Sequence, residues 1–307
     1  MRKIAFLFPG QGSQHVGMGR EFIDGYEEAR KIFQQASNVL DFDLEKLCNH
    51  GPEEELKKTT NAQPALLTVN WIFTRILRDA GIEPTVVAGH SLGEYSAVLC
   101  AEVVDYFAAL RLVRRRAQFM EEASAAIDGV MAAVIGLPRD AVLSICRRIK
   151  GVEAVNFNSP SQVVIAGKKK AVEIASKRLE QEGAKKVIPL PVSGPFHTSF
   201  MRRAALKFSQ ELDKISFRDP SCKVLTNAFA RYALSGEEIK SALQMQMDHP
   251  ILWEDSMRKL LTEGIDLFIE VGPGEVLKGL LRRIDRRASV LGMENSEDLE
   301  RIEDYGS

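Results

Sequence analysis

Hydrophobic and polar positions fall into two alternating rhythms along this chain. Short β-branched or aromatic runs at residues 3–8, around Val86 and Val87, and at 131–136, 152–157, 162–167, 185–190, 223–228, 266–271 and 288–293 predict strands. Apolar residues at helical spacing predict helices over 26–40, 64–80, 92–101, 106–123, 138–149, 169–182, 199–212, 238–247, 253–264 and 276–287. Pro64 marks the first turn of the second helix and Gly81 its stop. Residues 51–58 read as a short amphipathic helix with a solvated charged face, and the acidic tail 294–307 as a frayed or a surface segment. Strands alternating with helices imply a mainly parallel sheet covered on both faces, with active-site loops at the strands' carboxyl ends.

Between residues 127 and 190 the order becomes β-α-β-β-α-β, the signature of a ferredoxin-like subdomain. The expected architecture is therefore α/β: a large α/β-hydrolase-like domain made of 1–126 and 191–307, carrying residues 127–190 as an insertion. Asp128-Gly129 and the stretch 189–195 would be its hinges, and Lys168-Lys169-Lys170 reads as a solvated helix start.

A chain of 307 residues with 45% hydrophobic and 27% charged positions can bury a sizeable core. No apolar run approaches the roughly 18 residues of a membrane span, and Pro9-Gly10 cuts the opening apolar run too short for a signal peptide. Cys48, Cys100, Cys146 and Cys222 are scattered without a C-x-x-C pair or metal-ligand spacing to the histidines, which reads as buried free thiols in a reducing, cytoplasmic compartment. A net charge of −1 gives no global attraction to nucleic acid or membrane, so an anionic partner would need a local basic patch.

The chemistry centres on Gly89-His90-Ser91-Leu92-Gly93, which follows the Val86-Val87 run and opens a helical pattern. Reversing a strand into a helix in so few residues needs glycine at both ends, and it pushes the Ser91 hydroxyl to the turn tip. The Leu92 amide and the helix N-terminus then face any negative charge that develops on a bound carbonyl. The loop Pro9-Gly10-Gln11-Gly12-Ser13-Gln14 lacks the lysine and spacing of a phosphate loop; it is either an ordinary turn or a source of the Gln11 backbone amide beside Ser91. Arg111, Arg114, Arg115 and Arg116 cannot share one helix face, since neighbours differ by about 100°. At least one should turn inward toward an anionic partner, and spacing does not choose which. Among the five histidines, His197 sits at an element boundary after Gly194-Pro195 and is the preferred base for Ser91; His90, its neighbour in the elbow, is the weaker rival.

Six ordered motifs span the chain: residues 8–14, Gln63-Pro64-Ala65, the elbow through Glu94-Tyr95, residues 156–160 with 163–167, Gly194-Pro195-Phe196-His197, and residues 270–274. In these it resembles the bacterial malonyl-CoA:acyl carrier protein transacylases, the acyltransferases of type II fatty-acid synthesis. That resemblance implies Ser91 as nucleophile, His197 as base, and the Gln11 and Leu92 amides as oxyanion hole. It further implies Arg116 as clamp for the malonyl carboxylate and the Gln246 main-chain carbonyl as the group that orients the histidine. Ala117 departs from the family's frequent glycine, and Phe196 matches the malonyl-selective form of its loop.

The implied reaction is ping-pong through a malonyl-serine ester, with malonyl-CoA and acyl carrier protein as substrates and no metal or redox cofactor. A serine esterase or thioesterase of α/β-hydrolase type is the first rival and would place an acidic triad member between Ser91 and His197. A non-catalytic carrier-binding domain is the second. Candidates for a basic carrier-docking face are Arg202, Arg203, Lys185 and Lys186, with Arg282, Arg283, Arg286 and Arg287 a further basic run of unassigned position.

Overall fold

The computed structural model describes residues 2–192 and 194–306, so Ser193 of the stretch before His197 and the terminal Ser307 lie outside the described residues. Its strands are β1 (Ile4–Phe8), β2 (Val86–Gly89), β3 (Gly129–Ile135), β4 (Val152–Ser159), β5 (Gln162–Lys168), β6 (Lys186–Pro189), β7 (Lys223–Leu225), β8 (Tyr232–Ala233), β9 (Leu267–Val271) and β10 (Val290–Met293). They form two sheets.

The first sheet has the order β10-β9-β1-β2-β7-β8 and is parallel except for the β7–β8 pair. Its strands are apolar at consecutive positions because both faces are covered, and side chains alternate between the two cores. Phe6, Phe8, Val87 and Ile269 point into one cluster; Ala5, Leu7, Val86, Ala88 and Phe268 point into the other. The register Phe8↔Gly89 brings the carboxyl ends of β1 and β2 level, so the loop after Phe8 and the elbow after Gly89 emerge side by side.

The second sheet, ordered β4-β5-β3-β6, is antiparallel throughout and its chain order is β-α-β-β-α-β. Period-two alternation again divides its residues. Ala132, Val134 and Ile165 pack with helices Arg139–Arg147 and Lys169–Gln181. Met131, Ala133, Val155, Val164 and Ala166 join the core of the large sheet. A backbone stitch adds to this shared core: Ile251 forms an isolated parallel bridge with β4, its N–H donating to the Val155 carbonyl at 2.8 Å and its carbonyl accepting from the Phe157 N–H at 2.9 Å.

Three local expectations need correction, and some short elements were not expected at all. The helix placed at 64–80 is Thr59–Asp79, with Pro64 inside it. The Asn61 and Ala62 N–H groups already close helical turns on the Lys58 carbonyl, and burial of Thr59, Ala62 and Gln63 extends the packed face ahead of the proline. The strand placed at 223–228 ends at Leu225, because Asn227 leaves the sheet to bond the elbow. β8 was not foreseen in the pattern. The tail is no frayed segment: Ser296–Gly306 is a helix that buries Ile302 in the main core.

Candidate active site

The elbow is built by steric exclusion. A Cβ on Gly89 would lie 2.0 Å from the Gly93 carbonyl, and one on Gly93 would lie 2.0 Å from the Phe8 carbonyl oxygen, so only glycine lets strand, turn and helix Gly93–Cys100 pack this closely. Ser91, between them, is held at φ 52°, and His197 sits at φ 61°. Both lie in the left-handed region, which costs non-glycine residues on the order of 1–3 kcal/mol unless the surroundings enforce it.

Those two side chains meet. Ser91 Oγ is 2.8 Å from His197 Nε2, and His197 Nδ1 is 2.8 Å from the Gln246 main-chain oxygen. A carbonyl can only accept, so Nδ1 carries the ring proton and Nε2 is left as the acceptor for the serine hydroxyl. Burial pushes the His197 pKa down to about 3, and the nearby Arg116 charge pushes it the same way. The imidazole is therefore neutral and ready to take a proton at physiological pH. The histidine is oriented by an amide carbonyl; no carboxylate bonds its Nδ1 among the described residues.

Of the four clustered arginines, Arg116 is the one turned inward, fully buried on helix Tyr106–Ala125. Its Nη1 donates to Gln63 Oε1 at 2.8 Å, and its Nη2 donates to Gln246 Oε1 at 2.8 Å and to Ser91 Oγ at 3.1 Å. Its Nε has no partner among the described residues. The guanidinium lies 5.2 Å from the centre of the Tyr95 ring. The anionic partner expected from sequence is not bonded to it directly; every partner that Arg116 holds by hydrogen bond is neutral.

Gln11 lies on the loop beside the elbow, and its side-chain Nε2 donates to Thr59 Oγ1 at 3.2 Å. No hydrogen bond occupies the backbone N–H of Gln11 or Leu92 among the described residues, which leaves both amides for a ligand oxygen. Phe196 is buried directly before His197. His90, the rival base, points elsewhere: its Nε2 is 2.8 Å from Asn158 Oδ1 and its ring meets Trp253 edge-on.

Three participants carried little signal in the sequence. Asn227 Oδ1 accepts from the Ser91 N–H at 2.8 Å while its Nδ2 donates to the Gly89 carbonyl at 2.6 Å. Glu94 is buried in the first turn after the elbow, where an acidic residue ordinarily reads as a solvated partner of the helix dipole. Gln63 was visible as part of a motif but without a role. The four candidate docking residues remain on the surface: Arg202 pairs with Asp248 at 3.3 Å, Arg203 lines a cavity of about 290 Å³ with Phe119, Phe200 and Lys207, and Lys185 and Lys186 are exposed.

Residues 5–297 match the family described as the acyl transferase domain. The chain is 41% identical over 304 residues to the malonyl CoA-acyl carrier protein transacylase of Bacillus subtilis strain 168, covering 98% of this chain and 96% of that one. It is 44% identical over 288 residues to the protein of the same name from Escherichia coli K12, covering 92% and 93%. Among solved structures, it superposes with a TM-score of 0.96 on the malonyl CoA-acyl carrier protein transacylase of Coxiella burnetii, at 38% identity over 99% of this chain and 97% of that one. The TM-score is also 0.96, at 39% identity and 99% coverage of each chain, with a malonyl-transacylase solved in complex with its type II PKS acyl-carrier protein.

Proposed function

The chain belongs to the acyl transferase domain family, and on that premise we propose that it moves a malonyl group from malonyl-CoA to the phosphopantetheine thiol of an acyl carrier protein. The observation that carries this reading is the buried guanidinium of Arg116, 3.1 Å from the Ser91 hydroxyl. A fixed cation against the nucleophile is matched by an acyl chain that ends in a carboxylate, and a planar guanidinium binds that group through two parallel N–H bonds.

The steps follow from the geometry. Ser91 Oγ attacks the thioester carbon while its proton passes to His197 Nε2; the oxyanion is received by the Gln11 and Leu92 amides. On collapse the C–S bond breaks, and the imidazolium returns its proton to the sulfur of coenzyme A. The carrier's thiol then repeats the sequence in reverse order of roles: its proton goes to Nε2, its sulfur attacks the ester carbon, and Ser91 leaves with the proton restored. A malonyl carboxylate on Arg116 also offsets one of the causes that depress the His197 pKa, so the imidazolium forms more readily when the right substrate is bound. Phe196 would crowd a methyl branch beside the carbonyl.

The Gln246 carbonyl on His197 disfavours the hydrolase reading, which calls for a carboxylate there. In this account residues 127–190 form a ferredoxin-like subdomain set into a hydrolase-like domain of 1–126 and 191–307. Malonyl-CoA and the holo-carrier are substrates, and the route draws on no metal or cofactor. No helix among the described residues is long and apolar enough to cross a membrane. The free thiols Cys48, Cys100, Cys146 and Cys222 support a reducing, cytoplasmic setting for the reaction.

Intact-mass spectrometry tests the assignment. Malonyl-CoA should add one malonyl group to the wild type and none to Ser91→Ala, and holo-carrier should remove it as malonyl-carrier. An adduct lost to water equally fast without the carrier would overturn transfer in favour of hydrolysis.

A further inference from the structure

Glu94 has no part in the steps above, yet it is buried at the centre of the residues that perform them. A glutamate in a helix's first turn usually turns to solvent or faces the helix dipole. Here both carboxylate oxygens accept from N–H groups across the site: Oε1 from the Asn227 backbone at 3.1 Å and Oε2 from Gln246 Nε2 at 2.7 Å. An oxygen pair that only accepts is the arrangement of an ionised carboxylate.

Resting on the acyl-transfer reading, we propose that Glu94 is a positioning residue for that reaction, acting through Gln246 and Asn227 without touching the substrate.

Each arm ends on a catalytic group. The Gln246 side-chain amide is held from both sides: Nε2 donates to Glu94 and to the Ser91 carbonyl at 2.7 Å, and Oε1 accepts from Arg116. An amide fixed in this way cannot flip, because reversal would aim its NH2 at the guanidinium and its oxygen at the carboxylate. The main-chain carbonyl of the same residue is thereby kept on His197 Nδ1. On the other arm, Glu94 fixes the Asn227 backbone, and the Asn227 side chain clamps the Gly89 carbonyl and the Ser91 N–H on either side of the left-handed turn.

The same link solves the charge problem of the buried arginine. Cation, amide dipole and anion stand in line, Arg116 to Gln246 to Glu94, so the positive charge has its counterion at one residue's remove. A carboxylate bonded directly to Arg116 would occupy the fork that the substrate needs. Placing Gln246 between them balances the charge while leaving the guanidinium open toward Ser91.

The rate at which an alkyl fluorophosphonate labels Ser91 at pH 8 tests this without relying on malonyl-CoA. Glu94→Gln puts an NH2 group against one of two N–H donors; it should slow labelling by about tenfold or more, with circular dichroism and thermal midpoint near those of the wild type. Gln246→Met keeps the carbonyl and removes the amide, and should slow labelling similarly. The double variant should be no slower than about the worse single one, since both changes cut the same link. Labelling of folded Glu94→Gln at close to the wild-type rate, or slowing in the double variant equal to the product of the two singles, overturns the proposal. If Glu94→Gln does not fold, wild-type labelling of Gln246→Met overturns it alone. Failure of the wild type to form a malonyl ester would refute the transfer reading and leave this comparison intact.

Discussion

Two buried glutamates, one at the elbow and one at the end of β9, show how the same side chain serves different ends. Glu94 and Glu270 are both buried, and burial lifts the carboxyl of each to about 7. Their partners differ. Glu270 accepts from the backbone N–H groups of Leu277 and Lys278, which open the helix Val276–Ile284; it closes a strand onto its own following helix across a handful of residues. Glu94 accepts from groups more than a hundred residues away in the chain, and each of those groups in turn holds a reacting residue. Burial and a raised pKa are thus common to both, and only the destination of the hydrogen bonds separates a cap from a site residue.

The comparison can be pressed hardest at Arg116. Arg116→Ala removes the proposed carboxylate clamp and also strands Glu94 as an unbalanced anion. Malonyl transfer should fall by about 100-fold or more, acetyl transfer by much less, measured as the ratio of the two adduct rates. Equal losses for both acyl groups would remove the clamp from the account.

The pH profile sharpens the contrast next. His197, with its pKa near 3, cannot supply an acid limb around neutrality; beside Glu94, burial pushes the Tyr95 phenol well up, and the Arg116 guanidinium keeps its charge. Protonating Glu94 near 7 replaces an acceptor with a donor, so Ser91 labelling should decline about tenfold as pH falls from 8 to 6. Glu94→Gln should flatten that decline and Glu270→Ala should preserve it.

Stability should follow the other glutamate. Glu270→Ala orphans one buried and one part-buried N–H group and leaves a gap, at a cost of about 2–4 kcal/mol read from the urea midpoint, while activity per folded molecule stays within a few-fold. Because the folded-state pKa is raised above the unfolded value near 4.5, the carboxyl's favourable contribution is complete below that pH and is lost as pH rises through about 7. The gap between wild type and Glu270→Ala should therefore be widest near pH 5 and narrow by pH 8. At the small end stands a third glutamate, Glu27, exposed at its helix start and paired with Lys31. Glu27→Gln should move neither midpoint nor rate measurably.

What sequence reveals follows the same division. The elbow was legible because sterics confine it to a few consecutive residues: glycine, serine and glycine after a β-branched run. The β-α-β-β-α-β order was legible because its periodicities are local. Arg116 could be narrowed to one of four by helix geometry and singled out only by resemblance. Glu94 was visible only as part of a motif, without a role, and Asn227 was not legible. Nothing beside Asn227 in the chain announces that it abandons β7 to reach Ser91, a partner that only the parallel β2–β7 pairing brings near. The start of helix Thr59–Asp79 was missed for a related reason: proline statistics describe an isolated helix end, and this one is fixed by what it packs against.

The stitch between Ile251 and β4 gives the site a mechanical character. Gln246 and Ile251 are separated by only a few residues, one holding the base, the other pinned by two main-chain hydrogen bonds to the antiparallel sheet. That segment is a short tether. A shear of one sheet against the other would reach the imidazole along this short segment, so the alignment of Ser91 and His197 is coupled to how the two sheets are seated.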